Sequence, residues 1–346
     1  MKRLVFLLIV SLILVLFTGC AQANDPEENG DTVYLNLVAT YETEAYVEEF
    51  DVTDDYIYIA EDMAGFSIWE QASGNMLARY DSTLVGNMRL IKVLEESNLL
   101  VVFNKYGGTY GGTLFFDITA RDNPQYLMSI PGNNAELSCL QVWSINADRF
   151  RFSWVNLGSQ YYTGEFVRIP NSLYWAQDGL TFEEKLFGFN MAGFDEDLTN
   201  ERLYCASEEL GMKIVDRADF SIVNNISTIG QTIAVKVVDN VAYLGNREEG
   251  IQLLDISDEL NPVEIFNYDT TGLASDIAVS PELNVFALAS TSGGIYLFRG
   301  PDGVIERLQR IDDSEIGYTY KVKIHGNYLY AGTRYGIYKF EIINLR

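Results

Sequence analysis

A single histidine, His325, stands in a chain of 346 residues, and that shortage removes whole classes of chemistry. No Ser-His-Asp or Cys-His system can form away from it, and a histidine-rich metal site cannot form at all. His325 itself lies in Ile324-His325-Gly326-Asn327-Tyr328, a tight turn between two strand-like runs, and reads as a turn residue. Basic side chains are about half as numerous as acidic ones, 24 against 49, for a formal net charge of −25. Nucleic acids and anionic lipid headgroups need a basic footprint, so neither is expected as a partner. Three cysteines are present. Cys139 and Cys205 sit in apolar strand patterns (LSCLQV, RLYCAS) and read as buried thiols, with a disulfide as the alternative. There is no P-loop and no GxSxG. The glycine-rich run Tyr106–Gly112 leads into a strand and not a helix, so it lacks phosphate-cradle geometry and reads as a flexible loop. Beyond the first residues, no stretch carries a convincing helical period.

What is present begins at the N-terminus. Lys2 and Arg3 precede an uncharged apolar run from Leu4 to Phe17, the n-region and h-region pattern of a secretory signal. The run falls short of the roughly 20 apolar residues a membrane-spanning helix needs. It ends in Leu16-Phe17-Thr18-Gly19-Cys20, which resembles the lipobox of bacterial lipoproteins, with Phe17 in place of the usual leucine. The resemblance implies cleavage before Cys20 and lipid attachment to it, and several acyl chains give lasting anchorage. The alternative is an ordinary secretory signal with an incidental cysteine. Residues 21–31 (AQANDPEENGD) have no large apolar side chain and read as a disordered tether. The expected organisation is a signal peptide at 1–19, a lipidated tether at 20–31 and one domain at 32–346. The tether would reach roughly 35 Å when extended. Localisation at the cell envelope follows, on the outer membrane if the cell is Gram-negative, with the lipid anchor as the only membrane contact.

The domain is repetitive. A glycine followed by alternating apolar residues recurs at Gly65, Gly112, Gly164, Gly211, Gly250, Gly294 and Gly336. Two further short runs precede each copy, for example VEEFDV and YIYIA, or TIAVKV and VAYLG. Val, Ile, Tyr and Phe at period two, separated by turn residues, specify strands. Three strands plus a looser fourth, repeated seven times at 40–50 residues, specify an all-β, single seven-bladed β-propeller of four-stranded blades. The last unit stops after its third strand, and an orphan strand, Thr32 to Tyr41, opens the domain. That strand is expected to complete the last blade and close the ring.

Ala234–Pro262 (AVKVVDNVAYLGNREEGIQLLDISDELNP) resembles the LVIVD-repeat family of bacterial and archaeal surface propellers, and Leu114–Pro124 is a second good copy. LFGFNM, residues 186–191, is taken as the first strand of the fourth unit. The resemblance implies a fold and brings no catalytic residues.

Within a propeller blade the strands are named A to D from the axis outward, and ligands favour the face of the D–A and B–C loops. Three acidic pairs follow strand B there: Glu61-Asp62, Glu208-Glu209 and Glu248-Glu249. The D–A loops add Asp81, Asp269, Asp312, Asp313 and Glu315, and the B–C loops add Tyr106, Tyr110, Tyr161, Tyr162 and Tyr335. Basic residues on this face are Lys105, Arg247 and Arg334. Such a face suits a sugar, a cationic peptide or, through oxygen ligands, Ca²⁺; otherwise no cofactor is expected. Asp195-Glu196-Asp197 reads as a solvated A–B turn. Aligning strand A places Asp51, Lys92, Gln141, Asn190, Lys236, Ala278 and Lys323 in one column facing a wet central channel. Its three lysines raise the possibility of a bound anion, against ordinary channel lining. Two functions follow. One is a monomeric, non-catalytic scaffold binding an envelope protein or glycan through the D–A/B–C face. The other is a carboxylate-dependent hydrolase or lyase acting on extracellular carbohydrate, which needs two carboxylates about 5–10 Å apart.

Overall fold

A computed structural model describes residues 33–130, 137–156 and 158–344. The segments expected as signal peptide and tether, with Cys20 between them, lie outside the described residues. Among the described residues run twenty-eight strands, β1 to β28 in chain order, in seven four-stranded antiparallel sheets. The innermost strands are β2 (Glu49–Val52), β6 (Asn87–Leu94), β10 (Leu137–Asn146), β14 (Gly193–Asp197), β18 (Ala234–Val238), β22 (Asp276–Ser280) and β26 (Thr319–His325). Each blade then continues outward in sequence order, and the next begins again at the axis.

The buried apolar residues form seven clusters, each lying between two adjacent blades. That is the reason for strands with apolar side chains on both faces: a blade is covered on each side by a neighbour. YIYIA, residues 56–60, buries its last four residues completely, and Phe286 stacks on Phe298 at 4.8 Å between ring centres. The recurrent glycine has a steric cause. A Cβ on Gly65 would lie 1.9 Å from the Tyr80 carbonyl oxygen, and one on Gly250 would lie 2.2 Å from that of Tyr268. Both residues also hold positive φ, +90° and +77°, which favours glycine.

Ring closure is as expected. β1 (Val33–Glu42) pairs antiparallel with β28 (Gly336–Asn344) from Val33↔Asn344 to Glu42↔Gly336, becoming the outer strand of the seventh blade. Tyr41 on β1 is fully buried and meets the Trp69 ring of the first blade edge-on at 5.8 Å. The Leu35 N–H also donates to Gln309 of the sixth blade, at 2.6 Å.

Two expectations fail in the third and fourth blades. LFGFNM is not strand A of the fourth blade, which is β14, GFDED. Phe187, Phe189 and Met191 bury their side chains in the core between these blades and lead into β14. The apolar alternation of LFGFNM thus belongs to a buried connection. Asp195-Glu196-Asp197 is correspondingly strand and not a solvated turn. Gly164 does not open strand C either; it lies within β12 (Gln160–Arg168), opposite a bulge in β13 (Trp175–Leu186). Cys205 is a free, buried thiol whose pKa burial pushes up, and the Cys139 side chain lies outside the described residues.

Candidate functional site

Six blades carry a buried polar residue near the end of strand B or just after it: Glu61, Asn104, Ser207, Asn246, Ser290 and Thr333. Five of the six give their backbone N–H to the carbonyl at the far end of the B–C loop, as Glu61 does to Gly65 and Asn246 to Gly250, each at 2.8 Å. This column shapes the loops on which the candidate ligand residues ride. It also separates the three acidic pairs. Glu61 belongs to the buried column, whereas Glu208 and Glu248 stand one and two positions further on.

Glu61 is fully enclosed. Its carboxylate accepts from Arg79, as an ion pair at 3.0 Å, from the Glu44 N–H at 3.0 Å and from the Ser67 hydroxyl. Burial pushes its pKa above the ordinary 4.5, while Ser67 and Arg79 act against that rise. Asp62 is buried beside it. Tyr161 is a core residue: its hydroxyl donates to Glu196 and lies within hydrogen-bond distance of the Ser153 hydroxyl, both at 3.1 Å. Tyr110 is half-buried and stacks on Tyr126 at 3.9 Å, and Tyr162 donates to Glu184 between Trp154 and Phe182. Asp81 and Asp312 cap short helical turns, accepting from the N–H groups of Thr83 at 2.8 Å and Ser314 at 3.1 Å. The Thr83 hydroxyl and N–H hold the Asp81 carboxyl below its ordinary pKa, and the Ser314 N–H and hydroxyl do the same for Asp312.

What does reach solvent is Tyr106, Glu209, Glu248, Glu249, Asp269, Glu315, Arg334 and Tyr335, with Glu208, Arg247 and Asp313 half-buried. Glu209, Gln231 and Arg247 form one linked cluster across blades four and five: Gln231 donates to Glu209 at 3.3 Å and accepts from Arg247 at 2.5 Å. Apolar side chains stand among these acids. Met63, Leu84, Leu210, Ile229 and Tyr318 are all exposed on the same loop set, and no charge pattern in the sequence announced them. They are found only when the loops are assigned to a face.

Asp51, Lys92, Gln141, Lys236 and Lys323 stand on the innermost strands around the axis, whereas Asn190 does not. Asn190 is exposed in the connection before β14, and Asp195 takes its place in the column. A cavity of about 360 Å³ on the axis is lined by Lys92, Gln141, Lys236 and Lys323 together with Glu49, Asp276 and Lys321. The last three were missed, although strand alternation places a residue two positions earlier on the same face.

Carboxylates match the lysines. Glu49 lies 3.3 Å from Lys323 and 3.5 Å from Lys321; Asp51 lies 3.5 Å from Lys323 and 3.9 Å from Lys92; Asp195 lies 2.9 Å from Lys236. Burial disfavours the Glu49 carboxylate, but Lys323, Lys321 and Lys92 outweigh it and hold its pKa far below the ordinary range. Burial, with the neighbouring charge of Lys323, lowers the Lys92 pKa. Three of the carboxylates also bind the next blade's backbone. Asp51 accepts from the Val93 N–H at 3.0 Å, Asp195 from Val237 at 2.8 Å and Asp276 from Val322 at 3.0 Å. Four lysines and four carboxylates thus face one another, and the lysine ring is an inter-blade clasp more than an open anion site.

Among the described residues, no group of three or more His, Cys, Asp or Glu side chains is placed to hold a metal ion.

Comparison with known proteins agrees with this architecture. No curated protein matches the sequence. The WD40 repeats of RRP9 superpose with a TM-score of 0.65 at 13% identity, covering 90% of this chain and 100% of that one. U3-55K gives a TM-score of 0.65 at 14% identity, with coverages of 91% and 99%. The computationally designed Ika8 protein gives 0.63 at 13%, with 90% and 100%. At such identities the likeness is one of fold alone. The model of the LVIVD repeat matches residues 229–270, which hold all four strands of the fifth blade. This chain is therefore a seven-bladed β-propeller whose fifth blade matches the LVIVD repeat.

Proposed function

We propose that the protein is an envelope lipoprotein, anchored through Cys20, whose propeller is a non-catalytic scaffold for a protein or glycan bound at the D–A/B–C face. The observation that carries the binding reading is the exposed set Met63, Leu84, Tyr106, Leu210, Ile229, Tyr318 and Tyr335 on that one face. Aromatic and aliphatic anchors among charged neighbours are the composition of binding surfaces. The carboxylate-hydrolase alternative loses its main support, because Glu61 is sealed within a network with Arg79, Ser67 and the Glu44 backbone, while Glu248 and Glu249 face bulk solvent. The anchor reading rests on the Leu4–Phe17 run ending at Cys20.

Two measurements test these claims. Radiolabelled palmitate should enter the protein and be lost in Cys20→Ser; incorporation that survives the substitution would remove the anchor from Cys20. Leu210→Ser/Tyr335→Ala should abolish recovery of the envelope partner while leaving the melting curve unchanged. Undiminished recovery would move the interface elsewhere.

A further inference from the structure

At the A–B/C–D mouth of the channel, opposite the proposed interface, blades two to five line an open cavity of about 470 Å³. Its lining includes Lys92, Gln141, Trp143, Asp195, Thr199 and Lys236, and it shares Lys92, Gln141 and Lys236 with the axial cavity. The volume lies within the ~300–1,000 Å³ typical of small-molecule sites. We propose that this cavity binds a neutral, polyhydroxylated ring: one sugar residue.

Charge is the first argument. Lys236 is held by Asp195 at 2.9 Å and Lys92 by Asp51 at 3.9 Å. Asp197 on the same wall already accepts from the Thr199 and Asn200 N–H groups, at 2.8 and 3.0 Å. Glu196 is turned to Arg217 at 2.7 Å. An anion would have to compete with carboxylates for the lysines, and a cation with lysines for the carboxylates. A hydroxyl competes with neither. It accepts from an ammonium that has three donors and donates to carboxylate lone pairs left over from the ion pair.

The second argument is an orphaned acceptor. The Gln141 amide nitrogen donates to Asp195 Oδ1 at 2.8 Å and to the Phe194 carbonyl at 3.2 Å, which fixes the orientation of the amide. Its carbonyl oxygen is buried with no hydrogen-bond partner among the described residues. A buried unsatisfied acceptor calls for a donor, and a sugar hydroxyl could supply one where a small shift of the cavity wall opens the oxygen to the ligand. Third, Trp143 is half-buried on the cavity wall, and among the described residues no other ring packs on it. A half-buried indole on the wall beside mixed donors and acceptors suits the C–H face of a pyranose, apolar on the ring and polar at its edge. This inference does not depend on the D–A/B–C reading, which concerns the other face.

The test is calorimetric titration of the full chain with glucose, galactose, mannose and N-acetylglucosamine, with glucuronate and inorganic phosphate as anionic controls. At least one neutral sugar should bind saturably. Trp143→Ala should weaken that binding about tenfold, and Trp143→Phe, which keeps an aromatic face, should retain most of it. The Phe variant keeps the test valid if the Ala variant folds poorly. Binding of the anions alone, no saturable binding by any of the four sugars, or unchanged affinity in a folded Trp143→Ala would each overturn the proposal.

Discussion

Replacing Arg79 by methionine isolates a single buried charge. Glu61 has no exposed side-chain surface, and Arg79, at 17% exposure, is its charged partner at 3.0 Å. Methionine keeps the aliphatic stem and leaves the carboxylate with only the Ser67 hydroxyl and the Glu44 N–H. Removing one partner of a buried ion pair costs about 3–5 kcal/mol, because the remaining charge is uncompensated. A domain of this size should lose on the order of 10 °C in melting temperature. Glu61→Gln removes the charge itself, so the double variant Arg79→Met/Glu61→Gln should recover at least half the loss, a coupling of about 2 kcal/mol. Urea denaturation followed by tryptophan fluorescence is the assay. Trp69 donates its indole N–H to Ser67 at 2.8 Å and so reports from inside the same network. A loss below about 1 kcal/mol in the single variant, or no recovery in the double, would show that Glu61 is solvated and free to serve chemistry.

Tyr41→Ala, in the strand that closes the ring, should cost about 3–5 kcal/mol in urea denaturation; a loss under about 1 kcal/mol would mean that β1 does not hold blades seven and one together. Asp195→Ala deprives the Val237 N–H, Gln141 and Lys236 of their acceptor and should cost about 2–4 kcal/mol, with Asn190→Ala as a near-neutral control because that side chain lies outside the channel. For Glu61, burial raises the folded pKa above the ordinary 4.5, so the native state binds a proton that the unfolded chain releases. The Glu61 contribution to stability is therefore fully present below pH 4.5 and declines as pH rises through the folded pKa. Glu61→Gln should remove that slope from the pH–stability curve; an unchanged slope would contradict the burial.

The repeat was legible because its cause is local and recurrent. Strand C must begin where a strand D carbonyl leaves room only for glycine, as at Gly65 and Gly250, so glycine marks the start of strand C in every blade but the third. Closure was legible by counting, since a seventh unit lacking its fourth strand demands an orphan strand elsewhere. The fourth blade was misread for a physical reason. Strand A faces water on the axis, so GFDED can carry three carboxylates, whereas the connection before it packs Phe187, Phe189 and Met191 into the core and imitates a strand. Apolar alternation records burial, and a strand lining a wet channel need not show it.

The candidate face was only partly readable. Acidic pairs that align loosely in sequence differ by one or two positions in the loop, and that offset sends Glu61 inward and Glu248 outward. Tyr161 was misplaced because the third blade's strands run longer than the repeat implies, drawing the residue into strand β12 and the core. The ion pairs of the channel needed neighbouring blades brought into register, which no single repeat specifies.

The most direct measurement places a photo-crosslinking benzoylphenylalanine at Leu210 or Tyr335 on the D–A/B–C face, and at Leu260 or Val304 on the A–B/C–D face; all four residues are exposed. In intact envelopes, adducts to an envelope protein or glycan should form at Leu210 and Tyr335 and be absent from Leu260 and Val304. Adducts of equal yield on both faces, or confined to Leu260 and Val304, would contradict the assignment of the D–A/B–C face as the working surface of this propeller.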